Sequence, residues 1–322
     1  MRTYNIPIFI PHEGCPHDCV FCSQKKITGV HTSMTPELAA EEIKKHLAWL
    51  PKKERRVEAA FFGGSFTGLP LDLQRAFYEA ANQFRPEIQG IRLSTRPDFI
   101  TPEVLNLASA FGVTMIELGA QSAEDSVLGK SGRGHTFAQT CKAAEMIRCA
   151  GIGLGLQMMT GLPGANREMD VESARLFAKL QPDCARIYPT LVLRETALER
   201  MYERGEYVPQ TLDEAIETAK EALLLFRERG IPVIRLGLHA GEELREPGTV
   251  TAGPFHPAFG ELVENRIWRD RIEKQIQEKG MREGVISVQV PVGEISKAVG
   301  HGKCNRKYFH EKYGIEIVCI EE

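Results

Sequence analysis

The chain has 322 residues, 43% hydrophobic and 26% charged, the balance of a soluble globular protein with a substantial core. A formal net charge of -3 excludes a uniformly basic nucleic-acid coat and confines any such contact to a patch. No apolar run approaches the roughly 20 residues of a transmembrane helix, and eight cysteines without an apolar amino-terminal stretch suit the cytoplasm, where thiols stay reduced.

Residues 4–10 read as a first strand. It leads into Gly14-Cys15-Pro16-His17-Asp18-Cys19-Val20-Phe21-Cys22, whose three thiols are spaced to hold three irons of a four-iron cluster. Such clusters usually take four thiolates, so a triad leaves one iron open. Zinc is the competing reading, with Cys304 and Cys319 and either His301 or His310 completing the set.

Thr35-Pro36-Glu37-Leu38 opens a helix to about residue 50, with Thr35 as N-cap, Pro36 at the first helical position and Glu37 near the positive end of the dipole. Residues 57–62 form the second strand, 70–84 a helix and 91–95 the third strand. Thr101-Pro102-Glu103 repeats the capping chemistry, and 113–118 is the fourth strand. Residues 151–159 form a glycine-rich fifth strand, expected to be approached closely by a ligand or a neighbouring backbone. Residues 185–193 read as the sixth strand. A helix over 212–230 ends at a glycine, and 231–238 adds a seventh strand.

Strands alternating with helices in one direction predict an α/β fold, a partial parallel (βα)6-type barrel over residues 1–240 with its site at the strand carboxyl ends. Residues 241–282 are expected to form a loop over the barrel mouth and a helix, with Phe255 and His256 as possible lining residues. Residues 283–322 are expected to form a small separate domain.

After the second strand comes Gly63-Gly64-Ser65-Phe66-Thr67, where two glycines let a ligand approach the backbone. With the cysteine loop beside it, this sequence resembles the radical S-adenosylmethionine superfamily. The resemblance implies a [4Fe-4S] cluster on Cys15, Cys19 and Cys22, with S-adenosylmethionine chelating the open iron and the glycine pair hydrogen-bonding its amino group. It also implies a 5′-deoxyadenosyl radical and a low-potential electron donor of the flavodoxin or ferredoxin type. Ser65 stands where many members carry glutamate.

Ser94-Thr95-Arg96-Pro97-Asp98, Glu117-Leu118-Gly119-Ala120-Gln121-Ser122, Arg133-Gly134-His135-Thr136, Gly161-Leu162-Pro163-Gly164 and Ile187-Tyr188-Pro189-Thr190-Leu191 narrow the resemblance. Together they are similar to the radical domain of the Elongator complex catalytic subunit, a tRNA wobble-uridine modifier, over roughly residues 1 to 208. Ser94 departs from the glutamate of that pattern, and no acetyltransferase domain is expected before Glu322.

The candidate cofactor-binding residues are Gly63, Gly64, Ser65, Ser94, Arg96, Glu117, Gln121, Lys130, Arg133 and Gln157. On chemistry alone, Glu117 could accept from ribose hydroxyls or pair with Arg96 or Arg133. Arg96, Lys130 and Arg133 could neutralise a cofactor carboxylate or a substrate phosphate, or be surface cations. Gln157 could touch adenine or substrate, or be satisfied by backbone. Tyr188 and Arg133 are the candidate catalytic groups, with core packing the alternative for Tyr188. Cys141, Cys149 and Cys184 read as buried free thiols.

At the carboxyl end, 290–303 and 314–320 predict strand, helix, glycine turn, helix, strand. This resembles the core of a KH module, whose G-x-x-G loop clamps single-stranded nucleic acid, with Lys303 in place of the second glycine. Lys297, Gly300, Gly302, Lys303, Arg306 and Lys307 are the candidate RNA-binding residues, and tRNA the candidate partner. A solvated charged helix is the alternative. Two other functions stay open: small-molecule radical chemistry akin to oxygen-independent coproporphyrinogen dehydrogenase, and a non-catalytic metal-stabilised RNA-binding protein. Composition is silent on oligomeric state.

Overall fold

The structure, a computed structural model, describes residues 2–10, 14–15, 19–23, 33–51, 55–238 and 242–322. Strand β1 (Arg2–Ile10) leads through the cysteine loop to helix α1 (Pro36–Trp49); residues 16–18 of that loop lie outside the described residues. Then follow β2 (Arg55–Gly63), α2 (Leu71–Asn82), β3 (Gly90–Thr95), α3 (Pro102–Ala110), β4 (Val113–Gln121), α4 (Asp125–Lys130), α5 (Phe137–Cys149) and β5 (Gly153–Thr160). Next come α6 (Arg167–Lys179), β6 (Cys184–Pro189), β7 (Val192–Leu193), α7 (Ala197–Glu203), α8 (Leu212–Glu228), β8 (Val233–Leu236), α9 (Glu242–Arg245) and β9 (Val250–Ala252). The chain closes with α10 (Phe259–Glu278), β10 (Gly284–Val290), α11 (Ile295–Val299), α12 (Cys304–Tyr313) and β11 (Ile315–Glu321).

The threonine caps form as their sequence dictates. Thr35 Oγ1 accepts from the Leu38 amide and Thr101 Oγ1 from the Val104 amide, each at 3.3 Å. Strand periodicity then sets the architecture. β1-β2-β3-β4-β5-β6-β8 make one seven-stranded parallel sheet, curled into an open half-barrel with all strand carboxyl ends at one rim. The main core fills the space between sheet and helices, with Ile6, Phe61, Leu93, Ile116 and Phe226 fully buried.

One expected strand breaks, and the glycines of another are approached closely as anticipated. Residues 185–193 are not one strand: Pro189 offers no amide to extend the ladder, and the Thr190 amide and hydroxyl both bond the Thr160 carbonyl, at 2.9 and 2.7 Å. The chain turns out of the sheet there, and β7 pairs antiparallel with β9, giving the loop over the mouth a strand of its own. In β5, a Cβ on Gly153 would come within 2.9 Å of the Thr114 carbonyl, a close backbone approach. At Gly155 it would meet a side chain, Glu117 Cγ, at 2.7 Å.

The carboxyl-terminal segment has the anticipated order of elements, with β10 and β11 parallel neighbours. Its core is not separate from the helix before it. Phe259, Val263 and Ile267 of α10 belong to the barrel core, whereas Trp268, Ile272 and Ile276 pack with Ile286, Val288, Phe309, Ile315 and Ile317 of the terminal module.

Candidate functional site

The strand carboxyl ends surround a cavity of about 270 Å³. Cys15, Cys19, Cys22, Gly63, Gly64, Ser94, Arg96, Glu117, Gln121, Arg133, Gln157 and Tyr188 all line it. Strand parity explains most of the grouping: alternate residues face the same side, so Glu117 and Gly119 of β4 meet Gln157 of β5 and Tyr188 of β6 inside the curl, while Gln121 joins them past a register shift, at φ of +65°. Phe9, Phe21, Met159, Leu191, Leu193 and Leu238 add an apolar stretch of wall.

Backbone contacts hold the cysteine loop. A Cβ on Gly14, whose φ is +71°, would run into the Ser65 carbonyl oxygen, and one on Gly68 into the Gly14 oxygen. Only glycines let these two loops lie backbone to backbone. The Val20 amide donates to Ser131 O at 3.1 Å, and Val20 O accepts from the Leu198 amide at 2.8 Å.

Two buried arginines stand beside the thiols. Arg96 spends Nε and Nη2 on the Asp98 carboxylate, each at 3.0 Å, and Nη2 also donates to Arg133 O. Arg133 donates from Nη1 to Cys19 Sγ at 3.2 Å and from Nη2 to Gly119 O at 2.6 Å. Among the described residues, Arg96 Nη1 and Arg133 Nε are buried with no hydrogen-bond partner. Burial, then the neighbouring Cys19, pushes the Cys15 thiol up, while Arg96 and Arg133 act to lower it. Burial and then the Arg133 charge hold His135 down at about 4, a neutral ring beneath the arginines.

Ser65 and Lys130 do not line the cavity. The Ser65 hydroxyl lies 2.9 Å from Thr95 Oγ1 and accepts from the Arg96 amide, so it braces the wall from behind. Lys130 lies against Gly164, where an added Cβ would sit 2.6 Å from its Cδ. Phe255 packs with Leu191 and Leu193 of the lining, and the His256 ring meets His301 edge-on at 5.6 Å between centroids. Cys304 opens α12 and Cys319 lies on β11, away from the cavity lining, so the composite zinc set does not assemble.

Glu117 pairs with neither Arg96 nor Arg133. It accepts from Arg92 Nη1 at 2.8 Å and from Arg186 Nη2 at 3.1 Å and Nε. Register decides this: Arg92 lies two residues before Ser94, inside β3, whereas Arg96 lies beyond the strand end. Sequence reasoning missed Glu58, Arg92 and Arg186. Their signal was a charge at an inward position of otherwise apolar strands.

Beyond β5, the Gly161 amide donates to Asp170 Oδ2 at 2.8 Å and the Tyr207 hydroxyl to Gly161 O at 2.6 Å, which fixes the loop over 161–164. Burial raises the Asp170 carboxyl from 3.8 to about 7 against that one amide bond. The native state therefore keeps a proton that the unfolded chain has lost. Stability falls as pH rises from about 4 to about 7 and levels off above. Asp170→Asn keeps the acceptor and does not titrate. Melting curves taken at about pH 5 and about pH 7.5 should show wild type losing ground to the variant; parallel curves would contradict the assignment.

Among the described residues, no three histidine, cysteine or carboxylate side chains stand in metal-holding positions. The donor chemistry nonetheless fits an iron–sulfur cluster and a carboxylate-bearing cofactor. Three thiols line the cavity, two buried guanidinium nitrogens have hydrogens unspent among the described residues, and Gly63 and Gly64 bring bare backbone to the cavity.

The model of the Radical SAM superfamily matches residues 9–177, and that of the Radical_SAM C-terminal domain residues 182–269. The chain is 26% identical to the tRNA uridine(34) acetyltransferase of Methanocaldococcus jannaschii, over 66% of this chain and 47% of that protein. It is 27% identical to human Elongator complex protein 3, over 73% and 53%. It thus spans about half the length of these relatives. Among solved structures, an archaeal Elp3 from Methanocaldococcus infernus superposes with a TM-score of 0.62 at 22% identity, covering 86% of this chain and 63% of that one, a likeness of fold. The chain belongs to the radical SAM superfamily.

Proposed function

We propose that this chain cleaves S-adenosylmethionine reductively at a [4Fe-4S] cluster and acts on RNA, with tRNA as the substrate class. The observation that carries the first half is the shared cavity: Cys15, Cys19 and Cys22 on one side, with the unspent Arg96 Nη1 and Arg133 Nε beside them. The thiolates would hold the cluster, and the arginines would take the cofactor carboxylate. Gly63 and Gly64 admit its amino group to the backbone, and the apolar wall from Phe9 to Leu238 excludes water from the reactive species. The bound pair supplies methionine and a 5′-deoxyadenosyl radical once an external donor of the flavodoxin or ferredoxin type delivers one electron.

Two observations support RNA. The relatives include proteins named for tRNA uridine modification. In the terminal module, the turn over 300–303 holds Gly300, Gly302 and Lys303 at φ of +87°, +57° and +62°. A lysine in the left-handed region is strained, a conformation that clusters at binding sites. Lys303, Arg306 and Lys307 are exposed there, while Lys297 is paired with Glu294 at 2.8 Å.

Anaerobically reconstituted protein with dithionite should release 5′-deoxyadenosine from S-adenosylmethionine, and bulk unmodified tRNA should accelerate the release in a salt-dependent manner. No release from well-loaded protein overturns the whole reading; release indifferent to tRNA overturns its RNA half.

A further inference from the structure

A ladder of buried charges runs across the sheet and reaches the cavity at Glu117 and Tyr188. Glu58 on β2 accepts from Arg56 Nη2 at 3.1 Å, Thr114 Oγ1 at 3.0 Å and Arg92 Nε at 3.2 Å. Arg92 on β3 passes its Nη1 to Glu117 on β4. Glu117 takes both Nε and Nη2 of Arg186 on β6, and Arg186 Nη1 donates to the Tyr188 hydroxyl at 3.4 Å. Between β4 and β6, Gly155 has no side chain to interrupt the line. The Arg186 guanidinium also lies over the Phe62 ring, 5.3 Å from its centroid.

The ladder runs from Glu58, 5% exposed, to Arg186, 18% exposed, and its four central members sum to zero charge. Burial acts to lower both Arg92 and Arg186, but their neighbours, Glu117 foremost, more than offset it, so both stay above the usual arginine value. Glu117 has both oxygens occupied by guanidinium groups. It therefore serves the ladder and is a poor acceptor for a cofactor hydroxyl.

The hydrogen-bond directions fix what happens at the upper end. A guanidinium has donors only, so the Tyr188 oxygen accepts from Arg186 and its own proton points elsewhere. Among the described residues the phenol has no protein acceptor, and its ring lines the cavity. We infer that Arg186, locked by Glu117, is a positioning residue that orients the Tyr188 hydroxyl as a hydrogen-bond donor to an oxygen of the substrate.

This rests on the proposed RNA-directed activity only for the identity of the substrate. The orientation itself is testable without turnover. In protein labelled with 3-fluorotyrosine, the Tyr188 fluorine resonance is identified by its loss in Tyr188→Phe. It should shift in Arg186→Met and in Glu117→Gln, and in the same direction; a resonance unmoved by both overturns the inference. Arg186→Lys, which keeps the charge and loses the fork, takes the place of Arg186→Met where the latter does not fold.

With bulk tRNA as probe, stimulated release of 5′-deoxyadenosine should fall about tenfold in Tyr188→Phe and in Arg186→Met, the size of one lost hydrogen bond. The double variant should lose no more than either single one, since coupled residues are non-additive. S-adenosylmethionine affinity, read by equilibrium dialysis, should stay within about twofold, because that cofactor is assigned to other residues. Multiplying losses overturn the coupling. Absence of tRNA stimulation in wild type overturns the RNA reading, and the resonance then decides the Arg186–Tyr188 assignment by itself.

Discussion

Cys22→Ala is expected to abolish iron loading and 5′-deoxyadenosine release together. Three thiols are the fewest that can hold a four-iron cluster with one iron left for a cofactor, and no spare thiol stands ready. Cys141 and Cys149 lie on α5, Cys184 opens β6 below the cavity, and Cys304 and Cys319 belong to the terminal module; none of them lines the cavity. Iron and sulfide content after anaerobic reconstitution, read beside cofactor cleavage, is the check. Cys141→Ala serves as the control and should load as wild type does. A Cys22→Ala protein with full iron, or a wild type that takes up only zinc, would remove the basis of the cluster assignment.

The largest loss of stability is expected from Glu117→Ala. Removing this carboxylate leaves Arg186 without a carboxylate partner and Arg92 with Glu58 alone inside the half-barrel, where the two arginines are 18% and 12% exposed. Breaking a buried ion pair by deleting one partner typically costs about 3–5 kcal/mol, because the remaining charge keeps its desolvation penalty. Glu117→Gln, which retains one acceptor oxygen, should lose less. Urea unfolding of the pair measures both, and a loss below about 1 kcal/mol for the alanine variant would mean that the ladder does not bear on stability.

Glu117 also shows where the sequence stopped being informative. Its place as a lone carboxylate in an apolar strand is visible in the sequence, although the strand runs on past it to Gln121. Its partners are not, since they lie 25 and 69 residues away in the chain and are chosen by the register of three parallel strands. Capping threonines, by contrast, act within three residues, and both were legible. The same distinction explains Ser65 and Lys130. Each has suitable chemistry and lies near a glycine loop, but the Ser65 hydroxyl is taken by Thr95 and Lys130 by the Gly164 turn. The strand expected over 185–193 broke because alternation continues through Pro189 in the sequence, while the ladder cannot continue without its amide.

Helix α10 carries a consequence for how the terminal module behaves. Because Phe259, Val263 and Ile267 anchor its first half in the barrel and Trp268, Ile272 and Ile276 nucleate the second core, the basic turn is mounted on a rigid axle. His301 meets Glu261 of the same helix at 3.4 Å, so the turn is also pinned near the axle's barrel end. The turn is packed against the helix, not hung from it by a linker. If the module binds RNA as proposed, the distance from that contact to the cavity is set by this helix.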